Sequence, residues 1–471
     1  MALLATSVPM DNRNRFDSLP TEIQACILKS LPDIKTLLTL LRASPRFLQV
    51  YRQVRQDAIS SIVCNQITPA ALPLAISVLN LKHMRSYRHP RSDVFTFLET
   101  FKQSPPNLPE KRLSLENAKE LLRVQYLVEY FVEEFLTDRL KNLSEHLPQI
   151  TPAMVEGKEV IDFTGLERQR LFRAFYHMEL YGILFEDSET MTDNITAEQQ
   201  SSLFLTKLSD WEQEEFLCVR QFLFDGFSSH LDRVEEDFTI AYKEDGPPED
   251  VVNCAYDHRF DINYGEFYYF FSMDGHSAGV QYAWMEECLL RGLLNWGDVW
   301  KAKDADTRED SLGDLNLFRQ GNNMKEAVNL LPLLQYQPET EIPTGQDSIE
   351  TSNAAWPWAL QQLPRSPLVV SESWSRISQF EGLRSWGYAI WSNETLELFG
   401  LLEKRDPVGW VYNKTIPKSL KYHTPSRYDR KRRGGPSVES RTHSSIYDVW
   451  RKKALDAVPV EKLVQETTAI R

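Results

Sequence analysis

The chain has 471 residues, 42% of them apolar and 11% aromatic, ample material for sizeable buried cores in about two to four domains. A formal net charge of −14 argues against a dedicated nucleic-acid binder, because phosphate recognition needs a dominant positive field. The five cysteines, Cys26, Cys64, Cys218, Cys254 and Cys288, are widely separated and form no Cys-x-x-Cys pair, so their spacing gives neither a zinc ribbon nor a disulfide framework and fits a reducing compartment.

Residues 1–15 hold a short apolar run with no basic segment before it, unlike a secretory signal, and are expected to be disordered. From Phe16 the stretch FDSLPTEIQACILKSLPDIKTLLTLLRASPRFLQVYRQVRQDAIS parses as three short helices. Pro20 suits a first turn, where its missing N–H is not needed, and Glu22 complements the positive end of the helix. Ile23, Ile27 and Leu31 then recur at i, i+4 and i+8 as one apolar stripe. Pro32-Asp33 ends this helix and starts the next, whose Leu37, Leu38, Leu40 and Leu41 cover a wide apolar face. Ser44-Pro45, an N-cap followed by a proline at N1, opens a third helix carrying Phe47, Val50, Tyr51 and Val54. So small a unit has little interior, and some of this apolar surface is expected to meet another domain or another protein.

Leu19-Pro20, Glu22, the Ile23/Ile27/Leu31 stripe, the leucine-rich second helix and Ala43-Ser44-Pro45 together resemble the F-box, the adaptor-binding module of cullin-RING ubiquitin ligases, in the form found in many fungal F-box-like proteins. The resemblance covers residues 16–60. Where many F-boxes carry a Val-Ser-Lys-x-Trp run, this chain has Ala43-Ser44-Pro45-Arg46-Phe47 and no tryptophan nearby. The resemblance implies that the module docks on the Skp adaptor, and through it on a cullin, with Leu19, Pro20, Ile23, Ile27, Leu31 and Leu38 as contacts. It also implies that the remaining chain captures a protein target for ubiquitin transfer in the cytoplasm or nucleus, by proximity rather than by chemistry of its own. On the alternative reading these side chains pack only against their own downstream helices, and the chain is a helical scaffold without adaptor binding.

Residues 61–335 read as a helical body, giving a mainly α protein in which an irregular helical array follows the three-helix module. The uncharged span Ala58 to Leu81 is broken by Asn65-Gln66, Thr68-Pro69 and Pro73, so it predicts two separate helices and no membrane span. In LENAKELLRVQYLVEYFVEEFL the residues Leu121, Leu122, Tyr126, Val128 and Phe131 are expected to line a buried stripe. Two further segments, GLERQRLFRAFYHMELYGILF and LSDWEQEEFLCVRQFLFDGF, have the same spacing, and breaks are expected after Phe101 and after Tyr242.

Gly275-His276-Ser277-Ala278-Gly279 fits the Gly-x-Ser-x-Gly pattern of a serine-hydrolase nucleophile elbow. An elbow needs a strand-to-helix turn, an oxyanion hole and a histidine within reach. The chain lacks the strand and helix alternation of a doubly wound sheet, and the downstream His423 and His443 fall in a basic tail. Ser277 is therefore expected to cap the helix that follows, and a serine hydrolase is the distant alternative. Asp257-His258 with Asp261, and His177 with Glu179, are isolated pairs without metal-ligand spacing, so no metal or cofactor is expected.

Residues 336–366 read as a linker with an aromatic patch at Trp356 and Trp358. Residues 367–405 contain QFEGLRSWGYAIWSNETLELFGLLEK, which looks like a closing segment of fungal F-box-like proteins. Gly387 there allows an abrupt change of direction, Asn393 is expected to cap a helix burying Leu396 and Phe399, and the whole segment is expected to seal the core as a clasp. Residues 406–445 form a basic, mobile segment in which Lys414 to Arg433 holds eight Lys/Arg against one Asp, a pattern that serves nuclear import or simply balances an acidic body. Residues 446–471 complete the chain as a C-terminal helix or tail.

Overall fold

A computed structural model describes residues 19–85, 91–101, 113–144, 147, 165–185, 197–245, 292–293, 297, 300–301, 353–362 and 383–402. These residues are mainly α-helical, with no strand among them, as the apolar spacing predicts. The chain divides into two compact units, Met1–Val132 and Glu133–Arg471.

The first unit begins with α1 (Thr21–Lys29), α2 (Ile34–Ala43) and α3 (Pro45–Gln66). Each start is set by the local chemistry read from the sequence. Pro20 occupies the N-cap position of α1 and Glu22 lies in its first turn. Asp33 caps α2, and Ser44 Oγ accepts the backbone N–H of Phe47 at 3.2 Å to open α3. The core of this helix set consists of Leu28, Leu37 and Phe47, all fully buried, with Ile34, Val50 and Tyr51 around them. Val54 does not continue that face; its backbone leaves helical geometry and α3 kinks there. Beyond the kink α3 runs on through Ala58, Ile59, Ile62 and Val63, past residue 60, where the sequence suggests that the module ends.

The uncharged stretch forms two helices, as expected, since α3 stops at Gln66 and α4 (Leu72–Arg85) follows a short turn. No helix among the described residues is long and apolar enough to cross a membrane. After α5 (Arg91–Thr100) comes α6 (Leu115–Ser144), within which the division between the units falls. Leu121, Leu122, Val128 and Phe131 are buried on α6, but Tyr126 is 49% exposed. At 100° per residue Tyr126 falls on the solvent face with Lys119 and Arg123, and its hydroxyl accepts from Gln66 Nε2 at 2.9 Å.

The second unit packs α7 (Gly165–Phe185) against α9 (Asp210–Asp245), with α8 (Ala197–Leu203) and a 3₁₀ turn at Leu205–Lys207 between them in sequence. α9 stops directly before Gly246-Pro247-Pro248, the break expected there. Edge-on aromatic contacts converge on Phe222 of α9, from Phe175 of α7 at 6.3 Å and from Phe135 of α6 at 5.2 Å.

The segment read as a linker contains α10 (Ala355–Gln362), a correction to the sequence expectation. Asn353, Ala355 and Ala359 are buried, and Asn353 Oδ1 accepts the backbone N–H of Trp356 while its Nδ2 donates to the carbonyls of Tyr388 and Trp391, both at 2.7 Å. Polar and proline-rich composition suggested a loop. The asparagine starts a helix instead, and Pro357 sits in the first turn where it is tolerated.

The clasp packs inward as expected: Trp386, Tyr388, Trp391, Leu396 and Leu401 are fully buried. Its helix α11 (Asn393–Leu398) is capped by Ser392 rather than by Asn393, whose Oδ1 instead accepts from the backbone N–H of Ala354 at 2.7 Å. Gly387 turns the chain at φ +73, and a Cβ there would lie 2.9 Å from Phe135 Cζ. Gly387→Ala is therefore expected to lower stability by about 1–3 kcal/mol from backbone strain alone. A shift of the urea midpoint to lower concentration at constant slope would bear this out, and an unchanged midpoint would refute it.

Candidate docking site

The helices α1 to α3 leave the predicted contact residues outside their core. α1 carries two adjacent lines of side chains: Gln24 and Leu28 are fully buried, whereas Ile23 is 47% exposed and Ile27 is half-buried. Helix period brings Ile23 and Ile27 together on one face, one residue off the buried line. Leu19 is half-buried and Pro20 exposed where the chain enters that face. Leu31 is not part of the helical stripe, because α1 ends at Lys29 and Ser30 caps it. It is half-buried in the turn to α2, and Leu38 is half-buried on α2 beside the fully buried Leu37.

Two contacts from distant sequence fix this turn. Asn65 Nδ2 donates to the carbonyls of Lys29 at 3.1 Å and Leu31 at 3.2 Å, supplying partners to the C-terminal end of α1. Lys29 Nζ pairs with Asp57 at 3.2 Å. Neither partner was legible beforehand, since Asn65 lies in an uncharged run and Asp57 in a polar one, with no local pattern linking either to α1. Gln24 was missed as well, because a glutamine inside an apolar helix carries no sign of which way it faces.

On the other side of the turn, Asp33 accepts from the backbone N–H of Thr36 at 2.6 Å and from its hydroxyl at 2.9 Å. The Thr36 N–H, above all, holds the Asp33 carboxyl below its ordinary value of 3.8.

A second concentration of charged groups lies in the second unit and is buried. Glu214 accepts from Arg384 Nε at 2.9 Å and Nη2 at 2.8 Å, a bidentate pair from α9 to the clasp. Arg170 donates to the carbonyl of Trp391 at 3.0 Å, and Glu167 accepts from the N–H and hydroxyl of Ser392 at 2.9 and 3.0 Å. Arg173 binds Glu215 at 2.7 to 3.0 Å. Burial pushes the Glu215 carboxyl up to about 7 against the pull of Arg173 and Arg170, and burial likewise raises the Cys218 thiol and the Tyr388 hydroxyl.

Displaced titration is a common sign of catalysis. Here Glu215 is held by Arg173, and Arg384, Arg170, Glu167 and Glu214 each spend their hydrogen bonds on a partner across the seam with the clasp. Among the described residues no group of three or more His, Cys, Asp or Glu is placed to hold a metal ion. His177 and Glu179 are both buried on α7, and Glu179 accepts the backbone N–H of Leu293 at 2.6 Å. Ser277, His423, His443, the Asp257-His258-Asp261 group and the basic segment lie outside the described residues. No protein-family model matches the chain, and no curated protein or solved structure matches it.

Two measurements test these geometries. Arg384→Ala leaves the buried Glu214 carboxylate without its partner and is expected to cost about 3–5 kcal/mol, while replacing both residues by leucine is expected to restore much of that loss. Equal unfolding midpoints for the single and double variants would contradict the pairing. Asp33→Ala removes a helix cap and is expected to cost about 1 kcal/mol near neutral pH. Because the folded carboxyl titrates below 3.8, its contribution is complete above that value and fades as pH falls through the lower folded value. The gap between wild type and Asp33→Ala should thus narrow only in strong acid; a gap independent of pH would exclude the charged cap.

Proposed function

We propose that the chain is a substrate-recruiting, non-catalytic subunit of a cullin-RING (SCF-type) ubiquitin ligase, acting in the cytoplasm, the nucleus or both. Its N-terminal helices dock on the Skp adaptor and its helical body holds a protein target. The observation that carries this reading is the position of the six contact residues. Leu19, Pro20, Ile23, Ile27, Leu31 and Leu38 all keep exposed surface, while Leu28, Leu37 and Phe47 fill the interior. Ile23, in the first turn of α1, stands 47% exposed, and with the half-buried Ile27 one turn on it offers apolar surface that internal packing does not use up. The departure from the usual F-box tryptophan leaves the interior filled, since Phe47 in that place is fully buried.

Docking through such a stripe draws its energy from apolar burial, at about 1.5–3 kcal/mol for each aliphatic side chain before ordering costs. The ligase then works by effective concentration, the target's lysines being held near the ubiquitin-loaded enzyme. Ile23→Ala/Ile27→Ala is expected to weaken binding to purified Skp adaptor by about a hundredfold, with the helical circular-dichroism signal unchanged because neither residue is in the core. Should the wild-type chain fail to bind the adaptor under conditions where a known F-box binds, the chain is a helical scaffold instead.

A further inference from the structure

The turn from α1 to α2 carries Leu31 and is fastened at both ends by its own residues. The Ser30 N–H donates to the carbonyls of Cys26 and Ile27 at 3.0 and 3.1 Å, and the Ser30 hydroxyl donates to that of Cys26 at 2.9 Å. Asp33 closes the other end through Thr36. Between these ends the hold comes from far along the chain, where Asn65 Nδ2 donates to the carbonyls of Lys29 at 3.1 Å and Leu31 at 3.2 Å. An amide nitrogen carries two N–H groups, so one side chain serves both carbonyls. The backbone that bears it is anchored: Ile62 and Val63 are fully buried, Ile67 is buried, and the Ile67 N–H closes the end of α3 on the Val63 carbonyl at 2.9 Å. Asn65 lies on α3 beyond the kink at Val54 and beyond residue 60, where the F-box-like stretch ends.

We infer that Asn65 is a positioning residue for adaptor docking, setting Leu31 in place through the carbonyls of the turn, so that the docking surface depends on a part of α3 outside the F-box-like stretch. The inference rests on the ligase reading above. A helix C-terminus leaves carbonyls without intrahelical partners, and at a half-buried turn water reaches them in the free chain. An adaptor seated on Leu31 excludes that water, and a covered carbonyl without a partner carries a desolvation cost. Asn65 supplies the partner in advance, and its contribution grows when the surface is covered. The other link from α3 to the end of α1 is weaker. Lys29 and Asp57 are 39% and 50% exposed, and ion pairs in such surroundings add little.

The test measures the affinity of the full chain for purified Skp adaptor by titration calorimetry, with the helical circular-dichroism signal of each variant alongside. Asn65→Ala is expected to weaken binding about tenfold, the order of one net hydrogen bond to a covered group. Its helical signal is expected to be kept, since alanine is the better helix former at this exposed position. Asn65→Asp keeps the size, removes both donors and turns a carboxylate toward the two carbonyls, so it is expected to weaken binding at least as much. A double-mutant cycle separates positioning from general loosening. Asn65→Ala is expected to cost less than about twofold on a Leu31→Ala background and to keep its full effect on an Ile23→Ala background. Wild-type affinity in both Asn65 variants, equal losses on the two backgrounds, or loss of the helical signal in Asn65→Ala would each overturn the inference while leaving the ligase reading in place. A wild-type chain that does not bind the adaptor overturns both.

Discussion

A short helix packed on a single neighbour buries the line of side chains that faces it and leaves the line one residue away with exposed surface. α1 packs on α3 through Gln24 and Leu28, which leaves the line of Ile23 and Ile27 turned away from the interior. The surrounding features hold that division in place. Asp33 and Ser44 start α2 and α3 at fixed residues, Phe47 fills the space beneath, and Asn65 and Asp57 reach from the far part of α3 to the end of α1. The exposed stripe is thus a consequence of packing elsewhere, and its shape depends on contacts that do not touch it.

The second unit meets a different constraint. Its last described segment, Leu383 to Leu402, is brought to α7 and α9 across a long intervening sequence, and it arrives with buried backbone carbonyls and N–H groups at a chain reversal. Unpaired, such groups carry a large desolvation cost. Arg170, Glu167 and Asn353 supply their partners, and the Glu214–Arg384 pair adds an orienting contact. Apolar side chains alone would pack here with less regard to register. Buried charges with directed hydrogen bonds tie particular residues of the clasp to particular turns of the helices.

What was legible in the sequence was chiefly local. Helix starts at Asp33 and Ser44-Pro45, the stop before Gly246-Pro247-Pro248, and the turn at Gly387 follow from side chains that act within a few residues of themselves. Longer-range facts were hidden. Asn353 lies in a stretch composed like a linker, yet its partners at Tyr388 and Trp391 make it a core residue. Tyr126 looked apolar enough for the interior, but its angular position decided otherwise. The candidate stripe was half legible: periodicity marked Ile23, Ile27 and Leu31 as apolar, and only the fold separated them from the adjacent Leu28 and ended the helix before Leu31.

Hydrogen–deuterium exchange on the full chain, with and without Skp adaptor, bears most directly on whether the exposed side of α1 is a docking surface. Slower exchange is predicted across Leu19 to Leu31 and around Leu38, with little change over the clasp from Leu383 to Leu402. Binding that leaves exchange across Leu19 to Leu31 unaltered, or that slows only the second unit, would contradict the proposed docking.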